Sequence, residues 1–195
     1  MVDKKTIREW CRSSNYRPTF YGDDPSIVIL GEKHGTPKHR QKEEEMIELV
    51  RPEYLLTELL DVRTYNPQTK EEKFLPGVPI DEFDRMNLEG GIEDYMVKWS
   101  EKYGLFLVGM DLSYAEMGLV IDNLYAEHPN YEFTSQSPKV CLYREKRMGE
   151  RMAEYKQKTA RTIVAIMGDY HRRPKSGIHP ILQKKGISYV CIPQP

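Results

Sequence analysis

The stretch Ile27-Val-Ile-Leu-Gly-Glu-Lys-His-Gly35 decides the fold. An apolar run rich in β-branched residues stops at a glycine, and a histidine follows three residues later. A continuous apolar run of strand length marks a strand buried on both faces, as in parallel sheets. The phrase recurs near the other end as Ile163-Val-Ala-Ile-Met-Gly-Asp-Tyr-His171. Each copy reads strand, glycine, acid, any residue, histidine. In a parallel sheet both histidines leave at the same edge.

The rest of the chain supplies the partners such strands need. Gly22-Asp-Asp-Pro25 is a turn signal just before the first strand. Lys38 to Val50 reads as a helix with a charged outer face, with Thr36 as N-cap and Pro37 at its first position. Tyr54 to Glu58 is a second strand ending on a carboxylate, and Leu105 to Asp111 is a third. Arg161 to Met167 and Ile187 to Ile192 complete the strands. Helices are expected at 81–86, 92–103, 114–125, 140–159 and 178–185. Residues 1–25 read as irregular apart from a short helix at Lys4 to Arg12, and 61–80 as an irregular loop. Within 61–91 a lid or insert is expected, because long structureless loops in compact domains often cover sites. Strands alternating with helices predict an α/β fold, a three-layer α/β/α sandwich on a mostly parallel sheet. With 195 residues, one domain over 1–195 is expected.

Composition narrows the function classes. Lys+Arg number 29 and Asp+Glu 30, so no global field favours nucleic acid or an anionic membrane. A local basic patch is conceivable only around Arg172, Arg173 and Lys175. Cys11, Cys141 and Cys191 are scattered, which fits a reducing compartment better than a disulfide framework. No window approaches the ~20 apolar residues of a membrane span, and the first residues lack a signal-peptide core. The expectation is a cytoplasmic protein with a small-molecule or peptide substrate, and with neither nucleic acid nor membrane as partner.

In open parallel sheets ligands bind outside the carboxyl ends of the strands. The first strand delivers Glu32 and His34 there, the second Glu58, the third Asp111, and the fourth Asp169 and His171. Gly31 and Gly168 read as turn glycines, needed where a Cβ would clash or forbid a positive φ. Imidazoles and carboxylates on one rim permit two chemistries. They can hold Zn²⁺, Mn²⁺ or a similar ion with an open position for water. Alternatively, a carboxylate-oriented histidine can act as general base on water without a metal. Gly31 to Lys38 lacks the Gly-Lys-Ser/Thr ending of a phosphate loop, which excludes that reading. The Arg-rich stretch 143–156 is a charged helix from which one arginine could turn inward.

The ordered set Gly31-Glu-Lys-His34, Glu58, Arg144-Glu-Lys-Arg-Met-Gly149 and Gly168-Asp-Tyr-His171 resembles the TraB/Tiki/ChaN-like superfamily, which includes the erythromycin esterases. The resemblance covers about residues 26–192 and implies an erythromycin esterase- and ChaN-like three-layer fold with its site at the strand ends. It implies Glu32, His34, Glu58, Arg144 and His171 as catalytic residues. The strand-end reading offers His34, Glu58 and His171 as metal ligands, with Glu32, Asp111 and Asp169 as further candidates. Hydrolysis of an ester, peptide or related bond, assisted by a divalent metal, is the leading expectation. Haem or small-anion binding on the same framework is the alternative, and a toxin-like or regulatory domain without catalysis is a third.

Overall fold

A computed structural model describes residues 2–32 and 36–193, without the side chains of residues 37 and 38. Its sheet grows from the two quoted phrases. β2 (Ile27–Glu32) and β7 (Ile163–Gly168) lie side by side and parallel, Ile27 opposite Ile163 and Glu32 opposite Gly168. The two Gly-x-x-His motifs therefore start at the same edge, offset by one residue: Gly31 lies opposite Met167 and Gly168 opposite Glu32. β8 (Tyr189–Ile192) pairs parallel with β2, β3 (Tyr54–Thr57) with β7, and β6 (Phe106–Gly109) with β3. These five strands form the parallel centre.

Three antiparallel strands extend it. β1 (Thr19–Tyr21) joins β8 at one margin. β4 (Arg63–Asn66) and β5 (Glu71–Phe74) form a hairpin at the other margin, with β4 against β6. The full order is β1-β8-β2-β7-β3-β6-β4-β5. The hairpin corrects the expectation of an irregular loop at 61–80. Its residues, Arg-Thr-Tyr-Asn and Glu-Glu-Lys-Phe, lack the apolar run that reveals a central strand because they form a margin open to water on one side.

Side chains alternate across the sheet with period two and define two cores. Val28, Leu30, Leu55, Leu107, Val164 and Ile166 face Ile7 and Cys11 of α1 (Lys4–Ser13), Met46 and Ile47 of α2 (Pro37–Val50), and Met96 and Trp99 of α4 (Asp94–Tyr103). Ile27, Ile29, Leu56, Val108, Ala165 and Met167 face the other way. They meet Met148 and Met152 of α6 (Pro138–Gln157) and Ile178 and Leu182 of α7 (Ile178–Lys184). Helices thus cover both faces, which makes the fold a three-layer α/β sandwich. Each large aliphatic buried this way contributes about 1.5–3 kcal/mol, so these paired layers fix the strand ends firmly. α3 (Glu82–Glu89) and α5 (Tyr114–Glu127) pack on each other beside the hairpin margin.

Local signals account for the helix starts. Pro37 and Pro138 open α2 and α6, where the missing proline N–H has no partner to lose. Thr36 occupies the N-cap of α2, yet its side chain makes no capping hydrogen bond. α3 and α5 carry full capping boxes, Asp81 with Asp84 and Ser113 with Glu116. Among the described residues, no helix is long and apolar enough to cross a membrane.

Candidate functional site

Two tight turns at the sheet's carboxyl edge bring the acidic and imidazole groups together. β3 runs into a 3-10 turn, Glu58–Leu60, capped by Thr57, whose hydroxyl accepts from Leu59 N–H at 3.2 Å. The turn swings Glu58 sideways, so that its Oε1 accepts the Gly168 N–H of the neighbouring strand at 2.7 Å. β7 passes into a second 3-10 turn, Asp169–Arg172, which aims His171 inward. His171 is buried, with Nε2 3.5 Å from Glu58 Oε2 and Nδ1 3.3 Å from Glu145 Oε1.

Glu145 anchors this line from α6. It is 0% exposed, and its other partners are the Gly177 N–H at 2.9 Å and Arg173 Nη1 at 2.5 Å. Burial opposes ionisation of Glu145, but the His171 hydrogen bond, the Gly177 N–H and the Arg173 charge outweigh it and hold the carboxyl below its ordinary value. Glu145 is therefore a fixed carboxylate that sets the orientation of the His171 ring.

Beside this line stands a second pair. Asp111 follows β6, is 2% exposed, and meets Arg144 of α6 through Nε (3.0 and 3.1 Å) and Nη2 (2.5 Å). Burial works against the Arg144 charge, yet the Asp111 contact prevails and raises its pKa, with a further contribution from the Glu58 charge. The Arg144–Asp111 pair and the Glu58–His171–Glu145 line thus share one rim.

Asp61, the residue after the Glu58 turn, completes the arrangement. Its backbone has φ 47° and ψ −100°, a conformation rare for any residue with a Cβ and costing on the order of 1–3 kcal/mol. The strained turn lets its carbonyl accept the Asp111 N–H at 3.0 Å. It also presses against Gly109, where a Cβ would lie 2.4 Å from the Asp61 carbonyl oxygen, so that position admits only glycine. Burial and then the Asp111 charge push the Asp61 carboxyl up to about 6. Asp61, Asp111, Ser113, Tyr114, Gln136 and Arg144 line a cavity of about 170 Å³.

Gly31 has a different role from the turn that its sequence context suggests. It lies within β2 and is not among the glycines of positive φ. A Cβ there would sit 2.1 Å from Asp169 Oδ1 and 2.6 Å from Arg172 Nε. The glycine makes room for the Asp169–Arg172 ion pair (2.6 and 2.7 Å), which folds the His171 turn over the sheet edge. Gly168, at φ −52° and ψ 138°, adopts a conformation open to any residue.

Of the residues singled out in the sequence, Glu58 and His171 meet directly, and Arg144 pairs with Asp111 next to them. Glu32 ends β2, buried, opposite Gly168. Asp169 turns to Arg172. His34 lies outside the described residues. Among the described residues, no group of three or more His, Cys, Asp or Glu side chains is placed to hold a metal ion. Arg172 and Arg173 turn to Asp169 and Glu145, so they do not form the basic patch considered above. His179 is a core residue, bonded to Tyr189 Oη (2.9 Å) and the Arg173 carbonyl (3.0 Å). The three cysteines are all buried.

Sequence reasoning missed Glu145, Arg173 and Asp61. Glu145 stands in the Arg144-to-Gly149 motif, but the dense alternation of charges in that helix hides the one acid that turns inward. Arg173 stands out in the sequence only as part of a basic cluster with Arg172 and Lys175, which gives no sign of a buried acid as its partner. Asp61 lies three residues beyond Glu58 in a stretch without periodicity, and only its strained turn and burial reveal it.

Fold and site together define a three-layer α/β protein with a buried imidazole–carboxylate line at the strand carboxyl ends. No protein-family model matches the chain, and no curated protein matches it in sequence. Among solved structures it is similar to the one described as "Cofacial heme binding to ChaN of Campylobacter jejuni". The identity is 15%, the match covers 87% of this chain and 80% of that one, and the TM-score is 0.45. Likeness of this degree carries neither ligand nor activity from one chain to the other.

Proposed function

We propose that this chain is a hydrolase of an ester, amide or related bond in a small molecule or peptide, in which His171 handles the proton of the attacking water. The observation that carries the reading is the fixed line Glu145–His171–Glu58. Glu145 bonds Nδ1 and leaves Nε2 directed at Glu58, the arrangement in which a carboxylate orients a general base. Such a base contributes roughly 10²–10⁴-fold to a rate. Arg144, braced by Asp111, supplies a fixed cation beside the line for a carbonyl oxygen that gains negative charge.

The 3.5 Å between His171 Nε2 and Glu58 Oε2 suits one shared water. It is also about the separation of two ligand atoms on a tetrahedral ion with bonds of about 2.1 Å. Glu58 and His171 would thus hold a zinc or manganese ion, with His34 as the third ligand that the sequence suggests. Such an ion supplies water of lowered pKa when bound. The chain's own contribution is to keep Nε2 and Oε2 convergent and the ring immobile. The test is turnover of an ester and peptide panel with chelator, with Mn²⁺ and with Zn²⁺. Wild-type turnover that falls at least about 100-fold in His171→Ala supports the reading, and absence of turnover across the panel refutes it.

A second reading, a haem- or small-anion-binding protein, draws on Tyr170. Its ring is half-exposed on the same turn, 5.8 Å from the His171 ring centroid. In this reading Tyr170 is the ligand, because its ring reaches solvent whereas the His171 ring is buried between two carboxylates. A Soret band on haem titration that is lost in Tyr170→Phe and kept in His171→Ala would favour this second reading over the first.

A further inference from the structure

The segment between α5 and α6 carries aromatic side chains that belong to neither core. Tyr131 is 67% exposed. Tyr125 and Phe133 meet edge-on at 5.5 Å, His128 and Tyr131 at 6.2 Å, and Tyr131 and Phe133 lie 6.5 Å apart. Between these rings and the first turn of α6 opens a pocket of about 420 Å³, lined by His128, Tyr131, Glu132, Phe133, Pro138 and Lys139. Its volume lies in the range of small-molecule sites, and its lining, mostly carbon with a few polar groups, is of the kind that holds flat apolar ligands. Exposing clustered aromatic surface to water is unfavourable, and such patches mark binding sites.

Charge selects among ligands. Lys139 Nζ meets His128 Nε2, which brings the ammonium group of α6 to the rim of the pocket. Among the described residues no carboxylate lies within ion-pair distance of Lys139, although Glu132 lines the same pocket. The segment also touches the site described above. The Ser135 carbonyl faces Arg144 Nη1 at 3.5 Å and Cys141 Sγ at 3.7 Å, and Ser135 and Gln136 line the cavity of Asp61 and Arg144. One short stretch, 131–139, therefore walls both cavities.

We propose that the aromatic pocket is a binding subsite for a flat apolar group bearing a negative charge, such as an aromatic carboxylate, with its ring among Tyr131 and Phe133 and its charge on Lys139. Its place in the same substrate that reacts at His171 rests on the hydrolase reading. The pocket itself does not.

The test uses 1-naphthoate as probe, with its fluorescence titrated against the full chain. Saturable one-to-one binding is expected, weakened at least about tenfold in Tyr131→Ala and in Phe133→Ala. Lys139→Glu weakens naphthoate similarly and leaves the neutral 1-naphthylmethanol unaffected. These substitutions lie on an exposed segment, and circular dichroism checks that the fold persists. Absence of saturable binding to the wild type, or variants that bind as the wild type does, overturns the proposal. With a naphthoyl-bearing ester, Phe133→Ala should raise KM and keep kcat. A wild type that binds naphthoate and hydrolyses no ester keeps the subsite and refutes the hydrolase reading alone.

Discussion

Replacing Glu145 by alanine removes one buried carboxylate and leaves three groups without their partner. The Gly177 N–H, bonded at 2.9 Å in a buried position, loses its acceptor, at about 1–3 kcal/mol for an unsatisfied buried donor. Arg173 loses its ion-pair partner at 2.5 Å, but its side chain is 27% exposed and water recovers part of that interaction. His171 loses the bond to Nδ1, and the missing side chain leaves a small void between α6 and the His171 turn. The sum is about 3–5 kcal/mol, as for breaking one side of a buried pair. Glu145→Gln keeps an acceptor for Gly177 and should cost about half as much. Urea unfolding at neutral pH measures both. The folded-state pKa of Glu145 lies below its ordinary 4.5, so its contribution is present above that value and is lost as pH falls through the folded pKa. The gap between the wild type and the two variants should therefore narrow toward strong acid, leaving the part due to the void and the Gly177 N–H. A Glu145→Ala protein within about 1 kcal/mol of wild type at pH 7 would show that Glu145 is not the anchor of these three groups, since such a partner on a fully buried helix position cannot be removed so cheaply.

Three further perturbations probe the rim. In Gly31→Ala the new methyl group displaces the Asp169–Arg172 pair; urea unfolding should show a loss of about 1–3 kcal/mol, and turnover should fall because the His171 turn shifts. Asp61→Asn should stabilise the fold. The Asp61 carboxyl rises from an ordinary 3.8 to about 6, so stability falls as pH rises from about 4 to about 6, and removing the charge restores about 2–3 kcal/mol at pH 8 and almost nothing at pH 3, read from unfolding midpoints at the two values. Arg144→Lys keeps the charge and loses the fork onto Asp111; a destabilisation of about 2–3 kcal/mol with a fall in kcat larger than the rise in KM is expected from urea unfolding and steady-state kinetics.

The parallel centre was legible because both faces of a buried strand demand apolar residues. Ile27–Leu30, Tyr54–Thr57, Phe106–Gly109 and Ile163–Met167 all announce themselves by that demand. The marginal hairpin 63–74 was not legible. A strand open to water tolerates Arg, Asn, Glu and Lys, and its pairing partner is set by the turn and by β6 rather than by composition. The same contrast divides the site. Glu58 and His171 stand at strand ends, so strand assignment alone places them on one edge. Glu145 projects from the middle of a helix whose other acids face solvent or arginine, and its inward direction depends on how α6 packs on the sheet. Gly31 shows a third case. The sequence marks the glycine, and only the structure shows that the need arises from the Asp169–Arg172 pair rather than from its own backbone.

His171, oriented by Glu145, is proposed to carry out proton transfer at the sheet edge. Hydrolysis by wild type, His171→Ala and Glu145→Gln on one responsive ester or peptide tests it most directly, with circular dichroism to confirm the fold. Turnover should fall at least about 100-fold in His171→Ala and by a smaller factor in Glu145→Gln, where the ring persists and its orientation is weakened. A folded His171→Ala protein that hydrolyses the substrate at the wild-type rate would rule out this role for His171.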